Sequence, residues 1–350
     1  MTPPEIDIIV PVWNRPAFTR ACLVSLIEHS STARIIIINN GCDDETESLL
    51  VEFAEGMDER ALLISTNCNL GFVKAVNKGL ARSDAEFAVI FKNSSIATSG
   101  WLDVLVRTAL EKAEAGILVA NCQKGNKLTK IPSPVIEVSQ GNFCSMLLRK
   151  KTYDLIGGFD EDLDGGYWCL KDYSRRALRA GYLTFASEDS HVSCYDEPEF
   201  GSQSRRNSIM LQSASIFHER WGEEKDFCVY FPKGAEIDAI REKMGIILKG
   251  ARQGHTFTIL LHSNEFRELK HTGHTVLHQN ILMKKLPTFY PNKRAVSMTK
   301  SLLLSKSALI SVSGVNCFRL PGIESISFDD MEHYIQKVAI EKYQSIVYET

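Results

Sequence analysis

Apolar positions in the first 120 residues fall into short unbroken runs. Between the runs lie longer stretches in which they recur every three or four residues. Ile6 to Val12 is almost continuously apolar and rich in β-branched residues, the pattern of a strand covered on both faces. Pro11 falls near its end, where a missing N–H is tolerable. Asn14-Arg15-Pro16 then opens a predicted helix with Leu23, Leu26 and Ile27 on one face. Further strands are predicted over 35–38, 61–65, 86–91 and 116–120. The helices between them carry Leu49, Leu50 and Phe53, then Phe72, Val76 and Leu80, and then span 101–113. Asp44 with Glu47 reads as a capping box for the first of these. Such alternation predicts a mainly parallel sheet with helices on both faces.

The pattern breaks at Gln123 to Pro134, a lysine- and proline-bearing stretch that predicts a solvated loop. A strand at 143–148 and a short helix at 151–156 follow. A helix over 170–180 then ends at Gly181, a favourable residue just past a helix terminus. A second unit starts near Glu224, with a strand at 227–231, a helix at 237–251, a turn at Gly254 and a strand at 256–261. That is a βαβ unit beginning afresh. A strand at 308–312 and a helix at 331–347 complete it. The expected division is residues 1–223 and a smaller α/β domain over 224–350, whose role as acceptor binder or oligomerisation surface stays open. Residues 252–255, ahead of that unit's second strand, weakly resemble a helix-to-strand turn of GT-B nucleotide-sugar enzymes.

Composition narrows the function without naming it. The 350 residues are 44% hydrophobic and 24% charged, with a formal net charge of -3. No basic face of the kind a nucleic-acid partner needs is suggested. No apolar run approaches the roughly 20 residues that span a bilayer, and the first residues lack a signal-type core. The expected location is the cytoplasm. The nine cysteines include no Cys-x-x-Cys pair and are expected to be mostly reduced, buried small residues. Cys169, His191 and Cys194 match no standard zinc spacing. His271, His274 and His278 would share a helix face only if the helix ran through Thr272-Gly273, so they are expected on a polar surface.

Several motifs occur in a fixed order: Ile8 to Arg15, Ile37 to Asp44, Asn67 to Phe72, Ser99-Gly100-Trp101-Leu102, Gly157-Gly158-Phe159-Asp160-Glu161, Arg176 with Arg179 to Tyr182, and Phe217 to Gly222. This series, over residues 5 to 222, resembles the inverting family 2 glycosyltransferases, especially their rhamnosyltransferase-like branch. The resemblance implies a GT-A nucleotide-diphospho-sugar transferase sheet. It also implies a nucleotide-sugar donor, a glycan, lipid-linked or protein acceptor, and a place in polysaccharide or glycoconjugate biosynthesis. Donors bind at the carboxyl ends of strands in such sheets. The implied donor residues are Pro11, Val12, Asn14, Arg15, Asn39, Asn69, Gly71, Lys74, Asn93 and Ser94. Asn39 stands where the family has an aspartate for base and ribose. It keeps the hydrogen-bonding capacity without the charge. Asp160 and Glu161 are the implied acceptor-side residues.

The chain departs from the family where a Mg²⁺ or Mn²⁺ ion is usually held. Counting back from Trp101, the two acidic positions fall on Lys92 and Ser94, neither a carboxylate. The family's base position falls on Leu170, leaving Asp172 nearby as the candidate base, and a metal-proximal histidine position falls on Cys194. Two outcomes compete. In one, Lys92 replaces the cation and transfer is metal-independent. In the other, the domain is catalytically inactive and serves as a binding or scaffold module. A nucleotidyltransferase is a weaker third reading, because no Gly-rich phosphate loop with a following lysine is present.

Overall fold

The computed structural model describes residues 5–124, 133–164, 167–195, 203–273, 275–305, 309–315 and 319–336. The chain divides into two compact units, residues 1–216 and 217–350.

In the first unit, β1 (Ile6–Val12), β2 (Arg34–Asn40), β3 (Ala61–Thr66) and β4 (Phe87–Ile90) alternate with α1 (Pro16–His29), α2 (Asp44–Met57) and α3 (Phe72–Leu80). Next come β5 (Ser95–Ala97), α4 (Trp101–Glu111), β6 (Ala115–Lys124), β7 (Val135–Glu137), β8 (Met146–Arg149) and α5 (Lys150–Ile156). The run ends with α6 (Trp168–Arg179), β9 (Leu183–Cys194) and α7 (Gln203–Trp221), which spans the division. The strands hydrogen-bond in the order β3-β2-β1-β4-β8-β6-β9-β5, with β7 also on β9. Every residue of β1 is buried, and Ile8, Ile9, Ile35 to Ile38, Phe87 and Val89 have no exposed surface, which explains the unbroken apolar runs.

The sheet is mixed, which corrects the mainly parallel expectation. β1, β2, β3 and β4 run parallel, but β8 pairs antiparallel with both β4 and β6, and β5 and β7 pair antiparallel with β9. A doubly buried strand is apolar whichever way it runs, so the pattern at β8 carried no direction. The cap of α2 also differs from expectation. Asp43, not Asp44, is its N-cap, with a carboxylate oxygen 2.9 Å from the Thr46 N–H.

The second unit contains β10 (Asp226–Tyr230), α8 (Ile237–Arg252), β11 (Thr256–Leu261), α9 (Ser263–His271), β12 (Ile281–Lys285), α10 (Pro291–Ser305), β13 (Leu309–Ser313) and β14 (Ile326–Ser327). Its strands are all parallel in the order β12-β11-β10-β13-β14. That order reverses direction at β10, where the connection changes side. Helix α9 stops at His271, and His278 is buried with Nδ1 accepting from the Asn280 N–H, so no histidine-bearing helix face runs through both. His274 and residues 337–347 of the expected last helix lie outside the described residues.

Candidate functional site

The carboxyl ends of β1, β2 and β4 open onto a cleft of about 190 Å³. Its first wall is the turn after β1, where Asn14 and Arg15 have φ of 56° and 61°. For L-residues the left-handed region costs roughly 1–2 kcal/mol each, so other contacts must hold it. Asn14 Oδ1 accepts from the Asp43 N–H at 2.8 Å. Its own N–H donates to Cys42 Sγ at 3.2 Å, and the Cys42 thiol donates to the Val12 carbonyl. Pro16 at the first turn of α1 then sets the helix direction. The Arg15 guanidinium lies 5.9 Å from the centre of the Phe18 ring.

Asn40, only 3% exposed, staples the second wall. Its amide donates to Asn69 Oδ1 at 3.0 Å and to the Gly71 carbonyl at 3.2 Å, and its Oδ1 accepts from the Leu70 N–H. Gly41 has φ of 69°, and a Cβ there would overlap the Cys68 backbone, so this turn needs glycine twice over. Asn39 points elsewhere. Its Oδ1 caps the Cys42 N–H and its amide donates to Glu47 Oε1 at 3.0 Å. It supports the loop and is not among the residues lining the cleft, where the amide is that of Asn40.

The third wall follows β4. Lys92 donates its backbone N–H to the Phe143 carbonyl, and Ser95 N–H closes a turn on the Lys92 carbonyl at 2.8 Å. Asn93 Nδ2 donates to Thr19 Oγ1 at 3.0 Å, fixing the turn to α1. Ser94 Oγ is buried with no hydrogen-bond partner among the described residues.

Of the expected residues, Pro11, Val12, Arg15, Asn69, Gly71, Lys92 and Asn93 line this cleft; Trp13, Asn40 and Phe72 join them. Asn14, Asn39, Lys74 and Ser94 are not among its lining residues. Lys74 turns instead toward Glu161, with Nζ 3.8 Å from Oε2, and Asn77 donates to the Phe159 carbonyl at 2.9 Å and to Glu161 Oε1 at 3.1 Å. Asp160 accepts from the Asp162 N–H and caps a short 3₁₀ turn at Glu161–Leu163.

Asp172 is not at the surface. It has no exposed area and pairs with Arg176 at 2.8 Å, while Arg176 also donates to the carbonyls of Ile156 and Gly158. This ion pair braces the Gly157-Gly158 turn and holds the Asp172 carboxylate, the expected base, away from solvent. The carboxylate that reaches the cleft wall is Asp164. A Cβ on Gly71 would sit 2.5 Å from its Oδ2, and its Oδ1 accepts from the Val73 N–H at 3.3 Å. Neighbouring atoms crowd this carboxyl while it keeps contact with solvent. The lost hydration pushes its pKa up, against the opposing N–H bonds from Val73 and Phe72. Its contact partners lie some ninety residues away in sequence, so no local pattern marked it.

A hard divalent cation asks for several oxygen ligands, carboxylates foremost. Among the described residues the lining side chains offer Lys92, Arg15 and amides, and Asp164 behind Gly71 adds a single carboxylate, which falls short of the ligand set such an ion needs. Another groove of about 220 Å³ between α1 and α2 is lined mostly by apolar side chains and gathers no comparable set of polar groups.

The second unit has its own polar cluster beyond the carboxyl ends of β10 and β11. Tyr230 Oη lies 3.0 Å from His262 Nε2 and donates to Asn292 Oδ1 at 3.0 Å. Glu265 Oε1 accepts from the Gly234 N–H at 2.7 Å. Burial pushes Tyr230 up to about 12 and lowers the pKa of His262.

The first sheet, mixed and carrying its cleft at the ends of its parallel strands, is a GT-A fold. The family model "Glycosyl transferase family 2" matches residues 7–165. Residues 7–165, a little under half of the chain, are thus similar to family 2 glycosyltransferases. The chain is 32% identical over 110 residues to an uncharacterized glycosyltransferase of Haemophilus influenzae, covering 31% of this chain and 33% of that protein. It is 29% identical over 187 residues to the putative glycosyltransferase EpsH of Bacillus subtilis, covering 53% of this chain and 51% of that one. The match thus spans a third to a half of these relatives' length. Among solved structures, the mannosyltransferase PcManGT of Pyrobaculum calidifontis, in complex with GDP-Man and Mn²⁺, superposes with a TM-score of 0.50 at 14% identity over 97% of this chain and 87% of that one. No helix of the described residues is long and apolar enough to cross a membrane.

Proposed function

We propose that the first unit transfers a sugar from a nucleotide-sugar donor to an acceptor hydroxyl with inversion, and does so without a divalent cation. The carrying observation is Lys92, which lines the same cleft as Arg15 and the 69–72 loop where the fold would present a donor diphosphate. The acceptor oxygen attacks the anomeric carbon in line. The bond from that carbon to the phosphate oxygen breaks, and the nucleoside diphosphate leaves with the electron pair. Lys92 opposes the charge that develops on it. Two unit charges 4 Å apart at an effective dielectric of about 20 interact by about 4 kcal/mol, and a fixed charge needs no reorganisation during the step. Asp164 takes the acceptor proton, a role that a raised carboxyl pKa favours. The sugar and nucleotide are read from a panel of donors.

The test is turnover of UDP-, GDP- and dTDP-sugars with Mn²⁺ and with EDTA, in wild type and Lys92→Ala. Turnover that persists in EDTA and falls in Lys92→Ala supports the proposal. Full activity of Lys92→Ala, or complete loss in EDTA, overturns it. Nucleotide binding without turnover of any donor favours the binding-module reading.

A further inference from the structure

Among the described residues, one group of three metal-ligating side chains comes together, and all three are sulfurs. Cys122 on β6, Cys144 just before β8 and Cys194 at the end of β9 place their sulfur atoms within 4.8 Å of one another. Cys122 and Cys194 are joined by a disulfide, with Cα atoms 6.4 Å apart on neighbouring parallel strands. Expected as separate reduced thiols, these cysteines instead converge across a sequence separation of 72 residues.

We propose that, once this disulfide is reduced, Cys122, Cys144 and Cys194 form a site for one thiophilic cation of the zinc class. Zinc–sulfur bonds of about 2.3 Å place two sulfurs on one ion roughly 3.8 Å apart, a spacing these sulfurs reach by small side-chain shifts. Thiolates select zinc or copper(I) over magnesium and manganese, so the site is of another class from the family's oxygen-ligated ion. Ser95 Oγ lies 3.7 Å from Cys194 Sγ, where a hydroxyl donates to a ligating thiolate and holds its orientation.

The position gives the site a consequence. Lys92 N–H donates to the carbonyl of Phe143, the residue before Cys144, and Tyr195 N–H, the residue after Cys194, donates to the Ser94 carbonyl. A cation on the three sulfurs therefore tethers both flanks of the 92–95 turn. In the reduction, a dithiol gives two electrons and two protons to the Cys122–Cys194 bond and becomes a cyclic disulfide. Zinc entry then releases the thiol protons to solvent and makes three zinc–sulfur bonds, leaving one tetrahedral position open. Zinc binding does not depend on glycosyl transfer.

The test uses the full chain, reduced with a dithiol and freed of it, with zinc chloride as the probe. Native mass spectrometry is expected to show one tightly held zinc per chain in the reduced protein and none in the disulfide form. Cys144→Ser and Cys122→Ser lose it, while Cys68→Ser, an exposed thiol away from the cluster, keeps it. Cobalt(II) added to the reduced wild type is expected to give thiolate charge-transfer absorption, a readout independent of how any variant folds. Absence of that band, no zinc in the reduced wild type, or unchanged zinc affinity in Cys144→Ser overturns the proposal.

Discussion

The two sheets put polar groups at the same topological place, the carboxyl ends of parallel strands, and fill it in opposite ways. In the second unit the groups bond mostly to one another or to backbone, with Glu265 Oε2 the exception among the described residues. Tyr230 bridges His262 and Asn292, and Glu265 holds the Gly234 N–H. In the first unit the polar groups are spent on building walls. Asn40 staples the 69–71 loop, Asn14 pins the β2–α2 turn, and glycines with positive φ let the backbone approach closely. What stands between the walls is a cleft with Lys92 and Arg15 at its lining. An open site needs supporting residues that are already satisfied, so the residues most visible in the sequence need not be those that meet a ligand.

Removing the proposed base should give the largest effect. Asp164→Asn is expected to lower kcat by 100-fold or more, within the usual range of about 10²–10⁴ for a general base, with little change in KM for the donor. Its pKa is raised by lost hydration, so the acid limb of the wild-type rate profile should lie above the ordinary aspartate value of about 3.9. The rate rises with pH through that point as the carboxylate forms, and Asp164→Asn flattens the limb. A variant that keeps both rate and limb would show that Asp164 only caps α3. The same raised pKa implies that the ionised carboxylate is tolerated less well in the fold than in the unfolded chain. Its contribution to stability is therefore full below the unfolded value and declines as pH rises through the folded one.

Arg176→Ala tests the walls. It removes the Arg176 ion pair from the buried Asp172, which costs up to about 3 kcal/mol, and frees the carbonyls of Ile156 and Gly158. Urea unfolding of the first unit should register this. Asp172→Asn, which keeps a hydrogen-bonding group beside Arg176, should cost less and retain turnover. Loss of turnover in a stably folded Asp172→Asn would return Asp172 to the chemistry.

The contrast between walls and cleft also explains what the sequence disclosed. The strands of the first unit were legible because burial on both faces writes an unbroken run such as Ile35 to Ile38. The direction of β8 was not, since the same run serves either sense. Asn39 and Asn40 are adjacent, and on a strand adjacent side chains point to opposite faces. Only the structure shows which amide meets the cleft. Lys92 was singled out from motif order and lines the cleft. Asp164 and the meeting of Cys194 with Cys122 and Cys144 were not foreseen because their neighbours come from distant segments, Val73 for the carboxylate and β6 against β9 for the sulfurs. Helices α9 and α10 left weak periodic signals, and their buried faces rest on few residues, such as Leu269 and Ala295.

The smallest effect sharpens the second half of the comparison. Tyr230→Phe removes the hydroxyl that links His262 and Asn292 and should cost about 1 kcal/mol, read as faster amide exchange in β10 and β11 with turnover by the first unit unchanged. The cluster should also respond to pH. Burial, together with the Lys233 charge, holds the His262 pKa below its ordinary value, and Glu265 opposes them. The native state therefore favours neutral imidazole. Its stabilising contribution is complete above the unfolded histidine value of about 6.5 and is lost as pH falls through the lower folded value. Protection in β11 should weaken over that interval in wild type and hold steady in His262→Gln. Equal loss in both would place the sensitivity in another group and leave the second cluster as mere packing. Retained protection in both would mean that the imidazole stays well hydrated, and the cluster would then be no more closed than the cleft it is set against.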